Sequence, residues 1–258
     1  MTILEEILAS TRAELQERRR RVPLDELATL TPPPRPRLRD ALAGPGLSLI
    51  AEFKRRSPSA GEIRAGAQPG EIARAYERGG AAAMSVLTDG PYFGGSLEDL
   101  REAAGTCSLP LLRKDFVIDA YQLHEARAAG ASAVLLIVAA LDQADLRALH
   151  EAAGALGLDV LVEVHDADEL GRAAAIGASL IGVNNRDLRD FSVDPQRTFG
   201  LLEQMPEGAL VVAESGISER SQLTRLADAG VSGALVGERL MRAQSPERAL
   251  RELLEPAI

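Results

Sequence analysis

The chain has 258 residues, 46% of them apolar, enough to bury one sizeable core. Its 29 basic residues against 38 acidic ones leave a formal charge of −9, which argues against a general binder of nucleic acid or anionic membrane. A single cysteine, Cys107, excludes a disulfide within the chain and suits a reducing compartment.

Thr2 and Glu5 form a capping-box pattern, and Ile3, Leu4, Ile7, Leu8 and Leu15 recur at helical spacing, predicting an amphipathic helix over residues 3–20. The segment lacks the apolar centre of a signal peptide. The longest near-apolar stretch, 131–141, is too short to span a bilayer, so the chain is expected to be cytoplasmic. Arg18 to Arg21 reads as a solvated last turn favoured by the helix dipole. A short helical piece over 23–30 leads to Thr31-Pro-Pro-Pro-Arg-Pro-Arg, a stiff connector. Residues 1–45 are therefore expected to form an N-terminal helical extension.

From residue 47 onward one pattern repeats: a short β-branched or leucine-rich run, a polar turn, then an alanine-rich helical segment often closed by glycine. Strands are predicted over 48–53, 82–87, 109–113, 133–137, 160–162, 180–183, 210–213 and 234–236. Helices follow near 69–79, 97–105, 119–129, 142–156, 167–176, 194–203, 218–229 and 245–254. Eight alternating strands and helices predict a (β/α)8 TIM barrel over 46–258, in preference to a doubly wound sheet of fewer strands.

In such a barrel the chemistry sits at the carboxyl ends of the strands. The scarce residues gather there. Lys54 and Lys114 are the only lysines beside 27 arginines, and Asn184 and Asn185 are the only asparagines. Arginine cannot release a proton at ordinary pH, so the surviving lysines mark places where a movable proton is wanted. Glu52 and Lys54 are two apart and share a strand face, and with Lys114 and Glu163 they make a general acid–base constellation. Glu214-Ser215-Gly216 and Gly237-Glu238 follow the last two strands, where barrels often bind phosphate through backbone N–H groups. His165 reads as facing away from Glu163, and His124 and His150 as helix-surface or packing residues. Cys107 reads as lying at the opposite end from the active mouth. Metal-ligand spacing and a dinucleotide fingerprint are both missing, so neither metal nor cofactor is expected.

The motifs Ile50-Ala-Glu-Phe-Lys-Arg-Arg-Ser-Pro-Ser59, Ser85-Val-Leu-Thr-Asp89, Leu112-Arg-Lys-Asp-Phe116, Ile181-Gly-Val-Asn-Asn-Arg-Asp-Leu188, Ala213-Glu-Ser-Gly216 and Val236-Gly-Glu238 resemble those of indole-3-glycerol-phosphate synthases, in order and with compatible spacing. The resemblance implies ring closure, decarboxylation and dehydration of 1-(2-carboxyphenylamino)-1-deoxyribulose 5-phosphate, a step of tryptophan biosynthesis. It implies Lys114 as general acid and Glu163 as principal base, with Lys54 holding anionic groups and serving as a second acid. Glu52 would partner Lys54 as a candidate base. Asn184 would orient the sugar hydroxyls and Glu163, and Glu214 joins the catalytic set. Arg186 would pair with the substrate carboxylate or support the site, beside Ser57. Pro58, Phe93, Phe116 and Leu188 would wall the anthranilate ring, and Ser215, Gly216, Gly237 and Glu238 would hold phosphate. The N-terminal segment would pack over the catalytic face. The loop 60–69 carries more Gly and Ala than many relatives. The partner expected is a small anionic sugar phosphate, with no nucleic acid or membrane, and the chain is expected to act as a monomer or weak homodimer. Two rival readings are a sugar-phosphate isomerase, which would need a Cys/Asp or Asp/Asp pair at the strand ends, and a phosphate-binding barrel without chemistry.

Overall fold

The computed structural model describes residues 2–30, 32–187 and 191–255. Eight parallel strands close into a barrel: β1 (Ser48–Phe53), β2 (Ala83–Leu87), β3 (Leu111–Lys114), β4 (Ala133–Ile137), β5 (Asp159–Val164), β6 (Leu180–Asn184), β7 (Leu210–Glu214) and β8 (Gly233–Val236). Each strand pairs with its neighbours in sequence, and β8 closes on β1 through Leu49↔Ala234 and Ile50↔Leu235. This is the TIM-barrel architecture that the alternating pattern predicts.

Strand alternation divides the apolar residues into two sets. Leu49, Ala51, Phe53, Val134, Leu136, Val162 and Val164 face outward, into the layer shared with the surrounding helices. Ile50, Leu112, Leu135, Leu161, Val212 and Leu235 face the barrel axis. Continuing that inward parity past the apolar layers brings Glu52 and Lys54, Lys114, Glu163, Asn184 and Glu214 to the carboxyl end. The inner core thus supports a polar tier without any change of strand geometry.

The outer helices follow their strands: α4 (Pro69–Gly79), α5 (Leu97–Thr106), α6 (Ala120–Ala128), α7 (Gln143–Ala155), α8 (Ala167–Ala174), α9 (Gln196–Leu201), α10 (Arg220–Asp228) and, after β8, α11 (Glu238–Arg242) and α12 (Pro246–Leu254). Ser96, Asp119, Asp142, Asp166 and Ser245 cap their helices by accepting backbone N–H bonds, which sets where each begins. The predicted 194–203 helix is shorter than expected: α9 ends at Leu201 and a single 3-10 turn covers Leu202–Gln204. The five-residue α11 and a two-strand hairpin, Arg56–Ser57 with Gly61–Glu62, lie inside segments the pattern left as loops. Elements this short carry too few turns for periodicity to register.

Among the described residues, three helices precede the barrel: α1 (Ile3–Arg21), α2 (Leu24–Thr29) and α3 (Leu38–Leu42). The capping box of Thr2 and Glu5 is present. Ile7 and Leu8 join the buried cluster that contains Phe116, with Tyr92 and Phe93 packed against it, so α1 lies along the carboxyl end. The unforeseen α3 works at the other end. Its Leu42 lies over Gly233 at the start of β8, and Arg37 just before it pairs with Asp159 at the start of β5. Among the described residues, no helix is long and apolar enough to cross a membrane.

Arg18 departs from the expected solvated turn. It lies three residues beyond Leu15 on the buried face, and its Nε meets Glu125 Oε1 at 2.9 Å. Glu125 also accepts from Arg113, whose side chain is fully buried and reaches Asp115 at 2.7 Å and the Gln122 carbonyl at 2.6 Å. Arg113 is thus an outward-facing structural hub that ties β3 to α6 and, through Glu125, to α1. The charge of Arg113 holds Asp115 ionised below its ordinary range despite burial. Removing the cation would leave the buried Asp115 without its ion-pair partner and Glu125 with Arg18 alone. Arg113→Ala is expected to lose about 3–5 kcal/mol of stability, measured as a shift in urea unfolding at unchanged m-value.

Candidate active site

The mouth of the barrel opens into a cavity of about 530 Å³. Lys114 stands at its floor, at the end of β3. Its Nζ lies 3.2 Å from Glu163 Oε2 on β5 and 3.2 Å from Glu214 Oε2 on β7. Across the mouth, Lys54 Nζ meets Glu52 Oε1 at 2.6 Å. Asn184 donates its side-chain amide to Glu163 Oε1 at 3.0 Å and accepts the Arg186 backbone N–H at 3.0 Å. The Arg186 guanidinium donates to the Phe191 carbonyl at 2.9 Å, which anchors it to the loop after β6.

Two glycines make this polar tier possible. A Cβ at Gly182 would lie 2.2 Å from Glu214 Oε1, and one at Gly237 would lie 2.4 Å from Glu52 Oε1. Any larger residue at either of these two positions would displace a carboxylate. The glycine of Val236-Gly237 therefore serves Glu52 as well as the loop that it opens.

The two carboxylates on Lys114 differ in electrostatic character. Burial pushes both upward. Glu163 is nevertheless held below the usual carboxylate range, because it faces Lys114 and His165 and accepts from Asn184. Glu214 has neither of those two groups in close contact and is pushed up to about 7 by burial and by the charges of Glu163 and Glu52, with Lys114 only partly offsetting them. Burial works against the charged form of Lys114, but Glu163, Glu214 and Glu52 outweigh it and raise the ammonium above its ordinary value. One buried ionised carboxylate, one carboxyl that holds its proton near neutrality and one protonated ammonium lie within a few ångströms of each other.

The rim divides into an apolar wall and an anion cradle. Phe93 and Phe116 present tilted rings with centroids 6.3 Å apart, and Pro58 lines the same cavity beside Ser57. Asp89 accepts the Tyr92 and Phe93 backbone N–H groups and so fixes the loop that carries Phe93. Opposite lie Ser215, Gly216, Gly237 and Glu238. Ser215 and Gly216 both have positive φ, at 64° and 74°, a strained state for serine. Asn185 donates to the Ser215 carbonyl at 3.1 Å and Gln222 to the Gly216 carbonyl at 2.8 Å. Because a trans peptide points N–H and C=O in opposite directions, those bonds turn the Gly216 and Ile217 N–H groups away from Asn185 and Gln222. The Glu238 carboxylate is drawn onto Arg242, with Nε 2.9 Å from Oε1, one helical turn along α11.

Every site residue expected from the sequence lines this cavity except Leu188, which lies outside the described residues. Phe191, Ile217, Arg239 and Arg242 also line it and escaped the sequence reading. Arg242 alone left a signal there, as the i+4 partner of Glu238. His165 requires a correction. It does not face away from Glu163: two residues apart on an extended segment means the same side, and its Nε2 lies 3.4 Å from Glu163 Oε1. Among the described residues, no cluster of three or more His, Cys, Asp or Glu could hold a metal ion.

A family model described as indole-3-glycerol phosphate synthase matches residues 4–253. The chain belongs to the indole-3-glycerol phosphate synthase family. Similar members of that family include the indole-3-glycerol phosphate synthases of Koribacter versatilis, 51% identical over 97% of this chain and 98% of that protein, and of Acidithiobacillus ferrooxidans, 50% identical over 97% and 98%. The Micrococcus luteus synthase is 46% identical over 97% and 96%. The barrel also resembles more distant solved structures in fold alone. A variant tryptophan synthase α-subunit of Pyrococcus furiosus aligns with TM-score 0.62 at 16% identity, covering 81% of this chain and 98% of that one. Thiamine phosphate pyrophosphorylase from the same organism aligns with TM-score 0.60 at 20% identity, covering 84% and 96%.

The contrast between the two carboxylates of this family member can be measured directly. With 13C-labelled glutamate, the carboxyl resonance lost in Glu214→Gln is expected to titrate near pH 7, and the one lost in Glu163→Gln below the ordinary glutamate range. Titration of both together in the ordinary range would contradict the asymmetry.

Proposed function

We propose that this chain catalyses the indole-3-glycerol phosphate synthase reaction: ring closure of 1-(2-carboxyphenylamino)-1-deoxyribulose 5-phosphate with loss of carbon dioxide and water, by general acid–base catalysis. The observation that carries this reading is Lys114 bonded to two inequivalent carboxylates on the floor of a cavity with an aromatic wall on one side and a glycine-lined cradle on the other.

The substrate has a phosphate, a polyol chain and an anthranilate ring, and these match the lining from one side to the other. The phosphate belongs with Ser215, Gly216, Gly237 and Glu238, held chiefly by backbone N–H groups, with the Glu238 carboxylate kept aside by Arg242. Lys54, restrained by Glu52, adds an ammonium for the anionic groups. The ring belongs between Pro58, Phe93 and Phe116, with Leu188 assigned to the same wall from the sequence motif. Arg186 supports the loop nearby and is suited to the ring's carboxylate.

In the first bond-forming step an aromatic carbon attacks the substrate ketone, and the oxygen gains negative charge. Lys114 is the acid for that oxygen, since the carboxylates around it hold its ammonium protonated. Carbon–carbon cleavage then releases carbon dioxide and returns its electron pair to the ring. Dehydration needs a proton removed from carbon and another delivered to the departing hydroxyl. Glu163 is the ionised carboxylate fit to remove the first. The second comes from an acid of the same tier, Lys114 or Lys54. With the substrate carboxylate ionised, the whole sequence takes up one proton, so the tier must be recharged from solvent each turnover. Glu214, with its proton held near neutrality, and Glu52 keep the charge of the cluster close to balance while protons move.

The test is indole fluorescence on adding the carboxyphenylamino-deoxyribulose phosphate. The chain has no tryptophan, so the product signal rises from a low background. Wild type is expected to generate the signal, and Lys114→Ala to lose about a hundredfold or more of the rate. A folded wild type that binds the substrate without producing indole fluorescence would leave a phosphate-binding barrel instead.

A further inference from the structure

His165 is a half-buried imidazole at the barrel mouth to which the steps above give no role. It lies just beyond β5 at the start of the loop to α8. Glu169 Oε2 accepts the His165 backbone N–H at 2.8 Å and lies 3.0 Å from its ring Nδ1. One acceptor gripping both groups fixes the ring plane, and because an ionised carboxylate only accepts, it places a proton on Nδ1. The other nitrogen, Nε2, is buried and has no hydrogen-bond partner among the described residues. It faces Glu163 Oε1 at 3.4 Å, the same oxygen that receives the Asn184 amide at 3.0 Å.

A neutral ring with its proton on Nδ1 would turn a lone pair toward the Glu163 carboxylate, and the two would repel. A charged ring turns an N–H toward it, and a shift of a few tenths of an ångström completes a hydrogen bond. The surroundings decide between these states. The groups facing the ring are Glu163 from its own strand, Glu169 from α8 and Glu214 from β7. Asn184 on β6 is uncharged, and β4 ends in the apolar Ile137. Together the carboxylates raise the imidazole above its ordinary value although burial opposes them.

We propose that His165 is a positioning residue for Glu163: clamped by Glu169, its imidazolium turns Nε2–H toward Glu163 Oε1 and keeps that carboxylate ionised and aimed into the cavity. With Asn184 and Lys114 it forms a third donor around one base. Glu214, which has no Asn184 hydrogen bond and meets His165 only at longer range, is left as the carboxyl that keeps a proton. The proposal rests on the reading of Glu163 as the base. Its first test is independent of turnover.

The chain has only three histidines, so 15N-histidine NMR resolves each ring and His165→Gln identifies its signal. His165 is expected to titrate above the ordinary histidine midpoint of about 6.5, and to fall by about one unit or more in Glu163→Gln. Glu169→Gln should lower it as well. A His165 midpoint that ignores both substitutions would overturn the proposal whatever the enzyme's activity. In kinetics, His165→Ala and Glu169→Gln should move the acidic limb of the kcat profile upward by about one pH unit, with KM changed by less than about twofold. A folded His165→Ala variant whose acidic limb stays at the wild-type pH would also overturn it. If NMR shows the coupling but no substrate turns over, the failure belongs to the assigned reaction and not to the His165–Glu163 contact.

Discussion

An ammonium buried at the mouth of an apolar barrel has to be surrounded by anions, and the site is organised around how Lys114 meets that demand. Desolvating one ion costs several kcal/mol even after the protein relaxes. Glu163 and Glu214 offset that cost from opposite sides. Two carboxylates brought so close to one cation cannot both remain charged cheaply, and a symmetric pair would share a proton without distinction. Asn184 and His165 lie on one of them only, which breaks the tie. The arrangement gives two chemically identical side chains different neighbours and so different affinities for a proton.

The barrel supplies the precision this requires. Strand alternation sends Glu52, Lys114, Glu163, Asn184 and Glu214 to the same tier above the inner apolar layers, each from a different strand. Glycines at 182 and 237 leave the space into which Glu214 and Glu52 fold. On the outside of β3, the residue before Lys114 is Arg113, whose buried network reaches α6 and α1. One strand therefore carries the structural cation outward and the catalytic candidate inward. The N-terminal helices share the work: α1 lies beside the aromatic wall, and α3 closes the far end of the barrel.

Much of this was legible before any coordinates. Eight strand–helix units follow from apolar periodicity and turn residues, because both are local properties of the chain. The boundaries shift by one or two residues: β3 runs over Leu111–Lys114 where 109–113 was expected, since strand ends depend on which neighbour supplies the hydrogen bonds. Short elements such as α3 and α11 stayed hidden, because five residues give no usable period. Lys54 and Lys114 stood out because nearly all the other basic residues are arginine. His165 was misread although the same counting that joined Glu52 to Lys54 joins Glu163 to His165. Its role was further concealed because its anchor, Glu169, belongs to the next helix.

By itself the sequence determined the barrel, the order of its motifs and the residue types available at each strand end, since these depend on patterns within a few residues. Only the tertiary structure decided how the surroundings of the two carboxylates on Lys114 differ. Glu163 and Glu214 are 51 positions apart and both lie at the carboxyl end of a strand. What distinguishes them is the packing of Asn184 and His165 on one side, and electrostatic interaction in a buried site depends on distances across the barrel, which no spacing along the chain encodes.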